Sequence, residues 1–144
     1  EFDVIYAAGS DLTINLSGAY VDARYIKTRP GDTSVEVGDD LVYTPRVNAS
    51  LGLEYAFDLG ANPSFVRADM GYVGQYETEV NSGTPPAGDY MTLNMRLGTV
   101  IDHWSLAFYV DNLTNENATL IHDSASDATR LRPRRLGAEL SYNF

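Results

Sequence analysis

The chain has 144 residues, no cysteine, and 20 acidic against 10 basic side chains, for a formal net charge of -10. This charge argues against nucleic acid as a partner, because such binding rests on basic side chains that neutralise phosphates. The lack of cysteine excludes a disulfide framework and a thiolate metal cage, and no stretch approaches the roughly 18–20 consecutive apolar residues of a spanning helix.

Seven segments, taken in chain order, alternate between apolar and polar residues with the period of a β-strand. The predicted strands cover residues 2–8, 11–27, 42–57, 63–78, 89–101, 104–112 and 130–144. In the sixth segment, for example, one face is apolar and carries Trp104, Leu106, Phe108 and Val110. A helical stripe of useful length is absent from the sequence, so the chain is predicted to be all-β.

The connections between these segments alternate between short and long. Short turns are predicted at residues 9–10, 58–62 and 102–103, and long polar loops at residues 28–41, 77–89 and 112–129. Outer-membrane barrels have short turns on the periplasmic side and long loops outside. We therefore expect an antiparallel up-and-down transmembrane β-barrel segment, which starts on the outer side at Glu1 and ends in the periplasm at Phe144.

The number of strands bears on how such a barrel is completed. Bacterial single-chain barrels have an even number of strands, so seven predicts that this chain is part of a larger barrel. An eighth strand within residues 35–43 would instead give a small stand-alone barrel, with an adhesive or structural role. A soluble β-sandwich or lipocalin-like binder is a further alternative, because the same apolar faces could line a dry core.

The last strand runs to the final residue with Leu140, Tyr142 and Phe144 on one face and polar residues on the other. This pattern, with Gly137 ahead of it, resembles the C-terminal assembly signal of outer-membrane β-barrels. The resemblance predicts that these four residues form a membrane-insertion signal, read by the barrel-assembly machinery.

Several motifs together resemble the TonB-dependent outer-membrane receptors. Residues 110–116, Val-Asp-Asn-Leu-Thr-Asn-Glu, resemble a segment near the end of that family, and Leu131-Arg-Pro-Arg-Arg135 resembles the run that precedes its final strand. Upstream, residues 19–25 and 43–48 are similar to two further strand ends. In their order and spacing the motifs cover essentially the whole chain.

The resemblance implies that residues 1–144 form one domain, about the last third of a 22-stranded barrel, without the plug and the TonB box. It also implies TonB-energised uptake of a scarce nutrient such as an iron–siderophore, cobalamin or a saccharide, at the bacterial outer membrane. The implied partners are the lipid bilayer and lipopolysaccharide, the remaining barrel and plug, TonB, and a small-molecule substrate. No cofactor and no enzymatic activity are expected.

Acidic residues concentrate in the predicted outer loops. The first loop carries Asp32, Glu36, Asp39 and Asp40, and the later loops carry Glu77, Glu79, Asp89, Glu116, Asp123 and Asp127. These carboxylates could coordinate Ca²⁺ or attract a cationic or metal-chelate substrate, with Asp39 and Asp40 as candidate contacts. Ordinary solvated loop charge is the favoured interpretation.

Four arginines, at positions 130, 132, 134 and 135, stand out in an otherwise acidic chain. Guanidinium groups make bidentate contacts to phosphate, so Arg132 and Arg134 are candidate lipopolysaccharide contacts. Pairing with nearby loop carboxylates is favoured instead, because such carboxylates are plentiful.

The two histidines are the ready general bases at neutral pH. The topology places His103 in a periplasmic turn and His122 in an outer loop, too far apart for one catalytic centre, although Asp123 and Ser124 follow His122.

Two further sets of residues are assigned to the barrel wall. The outward aromatic girdle comprises Tyr20, Tyr55, Tyr72, Tyr76, Trp104 and Tyr142, and the polar inner wall comprises Arg67, Asp69, Gln75, Asn94, Arg96 and Glu139.

Overall fold

The computed structural model describes residues 1–31, 33–80, 83–122 and 127–144, and the regular elements in these ranges are all β-strands. In chain order they are β1 Phe2–Ala8, β2 Leu12–Tyr20, β3 Val47–Leu59, β4 Asn62–Val73, β5 Tyr90–Ile101, β6 Trp104–Asp111, β7 Thr119–His122, β8 Ala128–Arg130 and β9 Arg135–Tyr142. The described residues contain no helix that is both long and apolar enough to cross a membrane.

Seven of the strands form one antiparallel sheet in the order β1-β2-β3-β4-β5-β6-β9, and β7 and β8 form a separate hairpin. This confirms the predicted up-and-down segment of seven strands. In the described ranges β1 and β9 do not pair with each other, so the sheet is open. The alternative of an eighth strand at residues 35–43 is wrong, because that segment contributes only an isolated bridge between Arg24 and Asp40.

Three tight turns join strands at one end of the sheet, as predicted. The turn between β3 and β4 is shorter than expected, since the ladder continues to the Leu59–Asn62 pair. It turns at Gly60, which has φ +68°, a conformation that glycine adopts without steric cost. Asp102 takes the corresponding left-handed conformation, φ 52°, in the β5–β6 turn.

At the other end, the regular strands extend less far toward the long loops than predicted. β2 ends at Tyr20 and β4 at Val73, and β9 begins at Arg135. Pro133 accounts for the late start of β9, because proline has no N–H to give to a ladder. The loop predicted over residues 112–129 is also partly wrong, since it contains β7 and the first two residues of β8.

The sheet has one apolar and one polar face, because directly paired residues point to the same side. One row across its middle reads Leu53, Ala68, Met95, Val110 and Leu136. The next row, on the opposite side, reads Glu54, Arg67, Arg96, Tyr109 and Gly137.

The described residues provide no second layer over the apolar face. Phe108 is 55 % exposed and Leu140 is 65 % exposed, and the only buried apolar side chains in the described ranges are Ala87 and Ala107. A sandwich or lipocalin-like core would bury these large side chains, so that alternative is wrong. The apolar face has the exposure expected of a surface that meets hydrocarbon.

Candidate functional site

The apolar face has the height of a membrane-spanning wall. From Val47 to Phe57 the third strand rises about 33 Å, at about 3.3 Å per residue. A tilt of about 40° projects this length to about 25 Å, the height of the apolar band on outer-membrane barrels.

Aromatic rings cluster where β6 and β9 reach the short-turn end. The ring centroids of Trp104 and Tyr142 lie 4.8 Å apart, those of Tyr142 and Phe144 lie 5.1 Å apart, and His103 packs edge-on against Tyr142 at 5.8 Å. Aromatic residues of this kind occupy membrane interfaces, where the ring is apolar and its polar group is wet. Of the proposed insertion-signal residues, Leu140 and Tyr142 lie on the apolar face of β9, Gly137 lies on the polar face, and Phe144 lies beyond the strand.

Tyr76 does not belong to the outward girdle, and this prediction is wrong. It lies beyond the end of β4, and its hydroxyl donates a hydrogen bond to the Leu120 carbonyl, 2.8 Å away. Partial burial raises the pKa of Tyr76 above its usual range. This tyrosine therefore joins two outer loops and is not on the strand surface.

Ion pairs lie on the polar face, within a strand, between neighbouring strands and, for Arg96 on β5 and Glu139 on β9, across the strand between them. Arg67 contacts Asp69 at 2.8 Å and Glu54 at 3.4 Å. Arg96 pairs with Glu139, and Arg135 pairs with Asp111 at 2.6 Å. Since all of these side chains are substantially exposed, each pair is expected to contribute only about 0–1 kcal/mol.

The predicted polar inner wall is confirmed for Arg67, Asp69, Asn94, Arg96 and Glu139. Together with Tyr109, residues of this wall line a cavity of about 570 Å³. Gln75 is the exception, because it lies past the end of β4. The arrangement suits a surface that faces water, with charges held in place by their neighbours.

A second set of ion pairs holds the first outer loop. Arg24 contacts Asp22 at 2.8 Å and Asp40 at 3.6 Å, and Arg46 contacts Asp40 at 2.7 Å. The hydrogen bond from Arg24 holds the pKa of Asp22 below its usual range, and the Asp40 carboxylate raises the pKa of Arg46. Asp40 is therefore engaged inside the loop.

The other acidic loop residues do not converge on a metal site in the described part of the chain, which contains no group of three or more potential metal-ligating side chains. The Asp39 carboxylate accepts a hydrogen bond from the Glu36 N–H at 2.7 Å. Asp32 and Asp123 lie outside the described residues.

Asn112 is a structural centre of the outer rim that the sequence analysis did not identify. It is buried, with 5 % exposure, and has φ 52°. Its side-chain amide donates to the carbonyls of Glu116 and Arg132, and its side-chain oxygen accepts from the Glu116 N–H, all within 2.9 Å. Its own N–H donates to the Asn94 side chain at 2.9 Å. One side chain thus joins the 110–116 motif to the arginine-rich run.

Further bonds fix the arginine-rich run against the same motif. The Arg134 N–H donates to the Asn115 side chain at 3.0 Å, and the Arg134 guanidinium donates to the Leu113 carbonyl at 3.3 Å. Leu131 also donates its N–H to the Ala118 carbonyl. The sequence showed that both motifs are present, but their spacing did not reveal that they contact each other.

The two histidines lie at opposite ends of the sheet, as predicted. His103 is in the β5–β6 turn, and His122 ends β7 in the outer hairpin. Asp123 and Ser124 lie outside the described residues. The predicted separation of the two potential general bases is thus confirmed by the topology.

The sequence of residues 1–113 matches the family model described as "TonB dependent receptor-like, beta-barrel". The chain belongs to this family. As a TonB-dependent receptor barrel, it is a protein of the bacterial outer membrane. The predicted resemblance and localisation are confirmed.

A solved structure supports the same fold. The ferric yersiniabactin uptake receptor FyuA from Yersinia pestis superimposes with a TM-score of 0.79 over 99 % of this chain and 22 % of the FyuA chain, at 17 % sequence identity. This chain therefore spans about a fifth of the length of FyuA.

A curated protein also shows sequence similarity. Peptidyl-Lys metalloendopeptidase from Armillaria mellea is 27 % identical over 173 aligned positions, which cover 97 % of this chain and 48 % of the relative. The chain spans about half the length of this relative. The two histidines of the chain described here, at positions 103 and 122, do not form the H-E-x-x-H pattern of zinc peptidases. We therefore do not assign the peptidase activity of the relative to this chain.

Proposed function

We propose that this chain forms part of the wall of an outer-membrane receptor that imports a scarce nutrient with energy supplied through TonB. The observation that carries the proposal is the two-sided sheet in a chain of this family. Its apolar face is exposed and about as tall as the apolar band of outer-membrane barrels, and its polar face carries exposed ion pairs. A wall of this kind separates hydrocarbon from an aqueous passage.

The proposed substrate is a scarce nutrient of one of several classes and not a single compound. FyuA is a ferric yersiniabactin uptake receptor, and its likeness to this chain concerns the fold. An iron–siderophore, cobalamin or a saccharide each fits a wide polar passage. Asp39 and Asp40 are proposed as outer-loop contacts for such a ligand, although Asp40 is already paired with Arg46 at 2.7 Å.

The proposed partners follow from the same assignment. The apolar face meets the bilayer, the open edges of β1 and β9 meet the remaining barrel strands, and the polar face surrounds a plug that connects to TonB. Arg132 and Arg134 stand at the outer end of β9 and are proposed to contact lipopolysaccharide phosphates. The terminal signal at Gly137, Leu140, Tyr142 and Phe144 is proposed to engage the barrel-assembly machinery.

Uptake by living cells tests the proposal. A deletion strain and a complemented strain would be given labelled ferric siderophores, cobalamin and oligosaccharides, each with and without TonB. We expect one substrate to accumulate only when both the protein and TonB are present. Accumulation that needs the protein but is unchanged without TonB would contradict energised transport and favour a passive barrel.

A further inference from the structure

Every residue on the polar side of β9 from Arg135 to Glu139 has a dedicated partner. Gly137 lies opposite Tyr109, and a Cβ added to this glycine would collide with the tyrosine ring. Arg135 pairs with Asp111 at 2.6 Å, and Glu139 pairs with Arg96. We call these three contacts the β9 clasp.

The apolar side of β9 is far less specific. Its residues Leu136, Ala138 and Leu140 lie opposite Val110, Phe108 and Leu106. A slip by one residue would turn the apolar side chains inward, so the two-residue alternation prevents it. A slip by two residues would keep every apolar side chain outward, so the alternation of Leu136, Ala138 and Leu140 does not oppose it. Only the contact between the Trp104 and Tyr142 rings at the end of the strand distinguishes the registers on this face.

The β9 clasp opposes that second kind of slip. In the two possible slips, Tyr109 would lie opposite Arg135 or Glu139 instead of glycine, and Gly137 would lie opposite Asp111 or Ala107. Either slip takes Gly137 away from the Tyr109 ring and moves Arg135 two residues along β6 from its partner Asp111. It also changes the position of Glu139 relative to Arg96 on β5 by two residues. A second ring–glycine pair, Phe65 opposite Gly98 on the same polar face, shows that this fit recurs in the sheet.

We propose that the β9 clasp is a register lock, which selects one pairing of the final strand with β6 among those that satisfy the apolar pattern. The role of Gly137 is then to accommodate the Tyr109 ring, since Gly137 faces the polar side and not the lipid. The lock acts in assembly of the wall, so it holds whatever substrate the receptor carries.

Cysteine cross-linking in the outer membrane can report this register directly, because the chain contains no cysteine of its own. The Asn143 N–H bonds to the His103 carbonyl, so the even-numbered pairs of this ladder are non-hydrogen-bonded, the closer kind. Cysteine pairs at 110/136 and 108/138 report the native register. Pairs at 110/138 and 108/136 report slips by two residues in opposite directions, because a disulfide requires Cα atoms within about 7 Å.

The test variant is Gly137→Val, whose side chain cannot lie beneath the tyrosine ring. We expect native cross-links to fall at least several-fold, with slipped cross-links rising or the amount of folded barrel falling. Adding Tyr109→Ala should restore native cross-links, a rescue that a general loss of folding would not show. Gly71→Val is the matched control, because a Cβ at Gly71 meets only the Thr92 hydroxyl, at 3.4 Å.

Three results would overturn the register lock. The first is wild-type abundance with wild-type native cross-linking in Gly137→Val. The second is an equal defect in Gly71→Val, and the third is no rescue by Tyr109→Ala, since either would assign the effect to strand glycines in general.

Discussion

The two faces of the sheet are built by different rules. On the apolar face, a row such as Leu53, Ala68 and Met95 is apolar throughout, with Leu53 and Met95 exposed and Ala68 half-buried. The ion pairs of the described residues lie on the polar face or at the outer rim. On the polar face, Arg96 and Tyr109 each meet a particular partner across the sheet. The apolar face thus determines which side of the wall meets lipid, and the polar face and rim determine how the strands and loops fit together.

The largest effect should come from placing a charge on the wrong face. Leu51→Arg puts a guanidinium near the middle of the apolar band of β3, which is expected to destabilise the folded barrel by about 2–4 kcal/mol. The adjacent Ser50→Arg faces the polar side and should cost less than about 1 kcal/mol, since only an exposed hydrogen bond to Ser17 is lost.

Denaturant unfolding of both variants in lipid vesicles measures this difference. Equal destabilisation by Leu51→Arg and Ser50→Arg would mean that the two faces do not meet lipid and water respectively. That result would remove the basis of the proposed function.

A charge at the end of the chain should have the next largest effect. Phe144→Asp removes a ring that packs against Tyr142 at the aromatic cluster and places a carboxylate in the proposed insertion signal. We expect a several-fold lower amount of the protein in the outer membrane, measured by fractionation and surface labelling. Asn143→Asp adds the same charge one residue earlier, at a polar position outside the proposed signal. The amount of this variant in the outer membrane should stay near wild type.

At the outer rim, Asn112→Ala tests whether one buried side chain holds two motifs together. The substitution leaves the Glu116 N–H and two carbonyls without their partner, and each buried unsatisfied group costs about 1–3 kcal/mol. We expect loop residues 112–134 to become cleavable by external protease on intact cells, while transmembrane assembly persists. The exposed Asn117→Ala is the control, and equal cleavage of both variants would contradict the assigned role of Asn112.

The smallest effect concerns the exposed ion pairs of the first loop. The pKa of Asp22 is lowered by the Arg24 hydrogen bond, so this contact is present above the unfolded pKa of the carboxyl and is lost as pH falls through its lower folded pKa. Arg24→Gln should raise the pKa of Asp22, as measured by carboxyl ¹³C chemical shifts, with no resolvable change in the unfolding midpoint. An unchanged pKa would show that the pair does not persist in solution.

The pattern of the sequence predicted the strands well where both faces were constrained, and less well near the rim. The turn at Asp102 and His103 and the alternation along Trp104–Asp111 were predictable, because period and turn chemistry are local. The early ends of β2 and β4 and the β7–β8 hairpin were not, because they depend on bonds between distant loops, such as the one from Tyr76 to Leu120.

The sequence by itself determined the fold class, the direction of the strands and the face that meets lipid, since a two-residue alternation already sorts side chains onto two sides. It also indicated the family, because its motifs occur in the same order as in TonB-dependent receptors. Only the tertiary structure decided why those motifs belong together, because Asn112 and Arg132 are joined by a bond across 20 residues of chain. The same holds for Gly137, whose importance depends on the Tyr109 ring that pairing brings to it from another strand.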